Sequence, residues 1–178
     1  EAFQLGLKLG ATGLESDVWV TADGEAVLDH DGVVRSRGRK KLIRDVPRSA
    51  LPAHVPTVAE MLEACGGDFH VSLDLKDIAA LAPTLAAVRD VQPDLEPRLW
   101  LCFHDIERLI PLREQAGDAK LVDSTRLSRI KEGPERRASR LRDHGIDALN
   151  MHHTDWTGGL TTLVHRFERL AFGWDLQH

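Results

Sequence analysis

The chain has 178 residues, with 23 basic and 28 acidic side chains and a net charge of -5 with histidine neutral. That length suits a single domain over residues 1–178 that can enclose a sizeable core. A composition 42% apolar and 29% charged belongs to ordinary soluble globular proteins. No apolar run approaches the ~18 residues of a membrane helix. The acidity argues against general nucleic-acid binding. Cys65 and Cys102 have neither disulfide-framework nor zinc-ligand spacing. Cytoplasm is the default compartment, with a secretory leader left open because the sequence opens on Glu1 and not on Met.

Hydrophobic period and chain breakers predict the elements in order. Residues 1–9 read as the tail of a helix that Gly10 ends. Residues 13–20 alternate as a strand, 21–24 as a turn, and 25–30 as an extended return. Residues 31–55 show no period. Thr57 and Glu60 form a capping-box pattern for a helix at 57–65, closed by Gly66 and Gly67. Strands are then predicted at 69–76, 98–103, 119–123, 147–151 and 170–175. Helices near 79–91, 105–116, 134–144 and 158–169 separate them.

Such alternation means a parallel sheet with helices outside it. Counting the hairpin at 13–30 once, six sheet strands are present. The arithmetic fits a (β/α)8 TIM barrel of ~250 residues, with the supplied chain lacking the first and last strands. An open doubly wound sheet would want a Gly-rich phosphate loop after a strand, and none is present.

Both architectures place chemistry at the carboxyl ends of strands. The polar groups expected there are Glu15, Asp17, Asp74, Lys76, His104, Asp123, Asn150, His152, Trp174 and Asp175. Glu15 and Asp17 lie two apart in a strand and share a face, as do Asp74 and Lys76. If adjacent strands bring the three acids to ~5 Å, each pair repels by roughly 3 kcal/mol at an effective dielectric of ~20. Protons or a cation must offset that, and all-oxygen donors favour Mg²⁺ or Ca²⁺ over zinc. Spacing alone leaves open whether the acids converge or stand as separate, solvated strand-end charges.

The turn at 21–24 would fold His30 back towards Asp17, where an imidazole suits acid–base work near neutral pH. A surface loop histidine is the simpler alternative. Residues 32–48 carry seven basic side chains against Asp45 alone. This stretch is a candidate contact for an anionic phosphate or an anionic membrane surface, or else a solvated loop. The pair His152–His153 has metal-ligating side chains but no third ligand at motif spacing. Trp174 could pack or line a pocket.

In order, Glu15-Ser-Asp17, His30-Asp31, Arg35 and Asp74-Leu-Lys76 resemble the glycerophosphodiester phosphodiesterase family. Supporting stretches are 1–31 and VPTVAEML at 55–62, with weaker support from 145–153 and the Trp174 strand. The resemblance implies one (β/α)8 domain, partial at both ends, acting as a phosphoric diester hydrolase. It would split small glycerophosphodiesters into glycerol 3-phosphate and an alcohol. By the same resemblance, Glu15, Asp17 and Asp74 hold one divalent cation, Mg²⁺ or Ca²⁺, and His30 is the second catalytic histidine. Lys76 faces the phosphate, and Arg35 and Trp174 contact substrate. Asp74 stands where most members carry Glu, and the related sphingomyelinase D-type phospholipases look similar there. The family's first strand, with His-Arg-Gly and the first catalytic histidine, is expected outside these residues. Two other functions stay open: a phospholipase D-like or sphingomyelinase D-like enzyme on lipid phosphodiesters, and a non-catalytic phosphodiester-binding barrel.

Overall fold

Period-two runs bounded by turn residues form strands here, and the amphipathic runs between them form helices. The computed structural model describes residues 1–36 and 39–176, so Arg37 of the basic stretch lies outside the described residues. The chain divides into two compact units, Glu1–Leu101 and the residues from Cys102 onward.

The first unit contains α1 (Ala2–Lys8), β1 (Gly13–Val20), β2 (Ala26–Leu28), β3 (Val33–Ser36), β4 (Arg39–Leu42), α2 (Val58–Cys65), β5 (His70–Leu75) and α3 (Leu81–Val91). It ends in the first residues of β6 (Leu99–Phe103), and its sheet runs β2-β1-β5-β6. β1 pairs parallel with β5 and antiparallel with β2. One alternate set of side chains, Leu14 and Val18 with Val71, Leu73 and Leu75, is buried. The other set carries Glu15, Asp17 and Asp74, so burying the apolar face turns the acids together to the opposite one. The predicted capping box is present at α2. Thr57 Oγ1 accepts the Glu60 N–H at 3.0 Å and the Glu60 carboxylate accepts the Thr57 N–H at 2.7 Å.

Residues 31–55, read as aperiodic, contain more order than expected. β3 and β4 form an antiparallel hairpin with Arg35 opposite Lys40, followed by 3₁₀ turns at Ile43–Asp45 and Arg48–Ala50. Val27, Val34, Ile43, Val46, Leu51 and Val55 form a small core of their own, with Trp19 packed against it. Its members come from a hairpin, turns and loops, so no single repeat joins them and a period search passes over them.

Gly32 fixes the entry to that hairpin. Its φ is +66°, and a Cβ there would lie 2.4 Å from the Trp19 ring. Its N–H donates to Asp29 Oδ1 at 2.7 Å, and its carbonyl accepts from Ile43 N–H at 2.9 Å. Gly32→Ala is therefore expected to cost roughly 2–3 kcal/mol, combining left-handed strain with overpacking. A fall in the urea midpoint at constant m-value checks it. An unchanged midpoint would show that the tight approach to Trp19 is not required.

The second unit contains α4 (Ile106–Leu109), β7 (Lys120–Thr125), α5 (Pro134–Asp143), β8 (Ala148–His152), α6 (Gly158–Arg166) and β9 (Leu170–Trp174). Its strands β7, β8 and β9 are parallel and adjacent in that order. The helix expected over 105–116 is instead one α-helical turn continued by 3₁₀ turns at Ile110–Glu114, because Pro111 cannot donate to an α-helical bond. The strand expected over 119–123 continues to Thr125. Asp147 ties the entry of β8 to β7 by accepting the Leu121 N–H at 2.9 Å.

Among these elements Asp123 departs from expectation. It is not a strand-end group at a mouth but is fully buried against α5, where Arg137 Nη1 donates to its Oδ2 at 2.7 Å. Its Oδ1 has no hydrogen-bond partner. Burial pushes its carboxyl above the usual range, against the pull of Arg137. Arg137 also donates from Nε to Glu132 at 2.6 Å. Asp123 thus has a structural place in the packing of α5 on β7, away from any strand mouth.

Candidate active site

In the first unit the parallel register sets Glu15 beside Ser72 and Asp17 beside Asp74. Lys76, just past the end of β5, is positioned by its own N–H, which donates to the Val18 carbonyl at 3.0 Å. Its Nζ reaches Asp17 Oδ1 at 2.9 Å and Asp74 Oδ2 at 2.5 Å. Three of the predicted groups therefore meet in direct contact, with the ammonium between two carboxylates.

Glu15 joins them through its field. Desolvation raises its carboxyl above the usual range, and the negative charges of Asp17 and Asp74 raise it further. Burial alone would lower the Lys76 ammonium, but hydrogen bonds to Asp74 and Asp17 outweigh it and raise the group. The cation already between Asp17 and Asp74 is the Lys76 ammonium, and the donor oxygens of Glu15, Asp17 and Asp74 are not gathered within ligand distance of one another among the described residues. Carboxylate oxygens as the donor set suit a hard dication.

His30 lies at the end of the β2 return. Val18 pairs with Leu28, and Asp29 N–H donates to the Asp17 carbonyl at 3.2 Å. Trp19 Nε1 donates to the Asp29 carbonyl at 2.8 Å. The residue before His30 is thereby fastened beside Asp17. The imidazole itself is 92% exposed, with Nδ1 2.8 Å from Asp31 Oδ1. That hydrogen bond raises its pKa above the ordinary histidine value, and the charge of Asp17 adds to the rise. His30 is therefore both solvent-accessible and within the field of the carboxylates.

Arg35 lies on β3 and is exposed, pointing opposite to the buried Val34. Trp174 belongs to the second unit. There it meets the His152 ring edge-on at 4.7 Å, with the Arg126 guanidinium 5.6 Å from its own ring centre. Ser124, Thr125, Arg126 and Arg129 line a cavity of about 340 Å³ with it. Sequence reading missed these four because it ended the strand at residue 123. Carried two residues further, the strand places hydroxyls and guanidiniums at its carboxyl end. Asn150 donates to Ser124 Oγ at 3.1 Å on the neighbouring strand. His104 is exposed beside Phe103, with ring centres 4.7 Å apart.

Several solved structures share this fold. One from Silicibacter pomeroyi carrying the glycerophosphoryl diester phosphodiesterase name has a TM-score of 0.83 at 21% identity, covering 99% of this chain and 77% of that one. A glycerophosphodiester phosphodiesterase from Thermotoga maritima gives 0.79 at 21% identity, covering 99% and 78%. An Oleispira antarctica phosphodiesterase, solved in complex with the product sn-glycerol-3-phosphate, gives 0.79 at 17% identity with the same coverage. At these identities the likeness establishes the fold, the α/β barrel expected from the sequence. In sequence, the chain is 38% identical over 95 residues to the Mycobacterium tuberculosis protein named "Probable glycerophosphodiester phosphodiesterase 2". That match covers 49% of this chain and 36% of the relative's length. A profile of the Glycerophosphoryl diester phosphodiesterase family matches residues 1–131, which include Glu15, Asp17, His30, Arg35, Asp74 and Lys76 but not Trp174. The chain belongs to that family.

Proposed function

We propose that the protein of which this chain is part hydrolyses glycerophosphodiesters to glycerol 3-phosphate and an alcohol, with a divalent cation held by Glu15, Asp17 and Asp74. The observation that carries the reading is the Asp17–Lys76–Asp74 contact, with Glu15 in its field. A product-bound Oleispira antarctica structure of the same fold supports the substrate class.

A dication in that oxygen-donor cluster would supply Lewis-acid stabilisation of charge on a phosphate oxygen. Lys76, held at the carboxylates, brings a second positive charge for a phosphate oxygen. His30, with its pKa raised by Asp31, keeps its proton closer to neutral pH and donates it to the departing alkoxide. The attacking group is water or a neighbouring glycerol hydroxyl, and its proton goes to a second base. The family's His-Arg-Gly histidine has that role by resemblance.

In the full protein, excess chelator is expected to abolish release of glycerol 3-phosphate, and Mg²⁺ or Ca²⁺ to restore it. Full activity in chelator would count against the carboxylate cluster as a metal site. A second reading is favoured by the β3–β4 hairpin. Its described basic residues Arg35, Arg39, Lys40 and Lys41 are exposed, as are Leu42 at the end of β4 and Arg44 after it. They would suit an anionic lipid surface. Measuring choline release from glycerophosphocholine and from a choline lysolipid separates the readings, since only a lipid enzyme prefers the latter. Among the described residues no helix is long and apolar enough to cross a membrane.

A further inference from the structure

We infer that His152, His153 and Asp175 form a second metal site, selective for a borderline transition ion of the zinc class and separate from the oxygen-donor cluster of the first unit. The site lies wholly within the second unit, at the carboxyl ends of β8 and β9. Pairing of His152 with Trp174 across the two strands brings the following residue, Asp175, to the histidine.

One donor atom from each of the three residues can be chosen so that all lie within 4.8 Å of one another. His152 Nε2 and Asp175 Oδ2 are already 3.0 Å apart. A tetrahedral zinc with ligand bonds of ~2.0 Å needs donors ~3.3 Å apart, so this edge is nearly preformed. The His153 ring lies 4.5 Å from that of His152, at 33° to it, and is exposed. It can close the remaining distance by side-chain rotation.

The surroundings fit a ligating imidazole. His152 Nδ1 lies 2.7 Å from Thr154 Oγ1. In the metal-bound tautomer the ring proton sits on Nδ1 and is donated to that hydroxyl, leaving the Nε2 lone pair for the ion. In the present arrangement Thr154 N–H also points at Nδ1 at 3.2 Å, which places the proton on Nε2, facing Asp175. Binding thus moves a proton from one ring nitrogen to the other, substitutes an ion for the hydrogen bond to Asp175 and turns the Thr154 N–H from His152 Nδ1 to solvent. Trp174 packs edge-on against the His152 ring and limits its reorientation. Asp175 adopts a φ of +58°, a conformation that Asp and Asn tolerate better than most other non-glycine residues. Two imidazoles and one carboxylate make a zinc-type donor set with a fourth position open to water, whereas Mg²⁺ and Ca²⁺ select oxygen donors.

The test is calorimetric titration of the untagged full protein with Zn²⁺ alone, in excess Mg²⁺, read together with tryptophan fluorescence. One equivalent should bind despite the Mg²⁺ and change the Trp174 signal. His153→Ala removes an exposed side chain and Asp175→Asn keeps the backbone conformation, so both should fold. Each should weaken Zn²⁺ by about tenfold or more. Glu15→Gln should leave that binding unchanged. The inference is overturned if Zn²⁺ does not bind, if both second-unit variants bind it like the parent, or if Glu15→Gln and not His153→Ala abolishes it.

Discussion

Replacing His30 by alanine in the full protein should lower kcat by about 10²–10⁴-fold and move KM little. The side chain is 92% exposed and packs into no core, so its removal carries no cavity cost. What would be lost is the proposed proton donor, whose neighbour Asp29 is fastened to Asp17 by its N–H bond. A structural role would instead appear as lower stability with kcat preserved. The raised pKa adds a second readout. An acid that must be protonated loses activity as pH rises through its folded pKa. Asp31→Asn removes the first cause of the rise, so the alkaline limb of the rate profile should shift to lower pH. Near-normal turnover in His30→Ala would remove this residue from the mechanism.

The second large effect concerns folding. Arg137→Met should destabilise the protein by about 3–5 kcal/mol, because it leaves the Asp123 carboxylate buried with no cation. Asp123 is fully buried, Arg137 nearly so, and Oδ1 of the carboxylate is already unpartnered. The ion pair is thus a poor net stabiliser whose rupture is costly. Replacing both partners, Asp123→Leu with Arg137→Met, should recover most of the loss. Denaturant midpoints of the three variants decide it. A double variant no more stable than Arg137→Met alone would mean that the packing around α5, and not the orphaned charge, sets the cost.

The alternation of β1 and β5 carried most of what could be read in advance. Apolar residues at every second position put Glu15 with Asp17 on one face of their strand and Asp74 with Lys76 on one face of theirs, while the adjacency and register that bring the two strands together came only with the structure. Thr57 and Glu60 announced the start of α2 for a similarly local reason. What escaped was non-local. The small core under the β3–β4 hairpin gathers Val27, Val34, Ile43, Val46, Leu51 and Val55 from strands, turns and loops without a common period. Asp123 was misplaced because β7 runs on to Thr125 and its middle is buried on both faces, with Leu121, Val122 and Asp123 all covered. The Arg137 side chain, fourteen positions later, supplies the hydrogen-bonded cation for that burial. The pairing of Trp174 with His152 across β8 and β9 likewise depends on a register that no local pattern specifies.

The antiparallel pairing of Val18 with Leu28 and Val20 with Ala26 acts as a ruler between a proposed metal ligand and a proposed proton donor. Both groups ride on one continuous stretch of backbone, from Asp17 to His30, so a thermal displacement of the hairpin carries them together. Changes in turn length that keep those pairs opposite one another should preserve their separation. A slip of a single residue would swing the donor to the far side of the ribbon, so the segment can be transplanted between scaffolds only as a complete cassette.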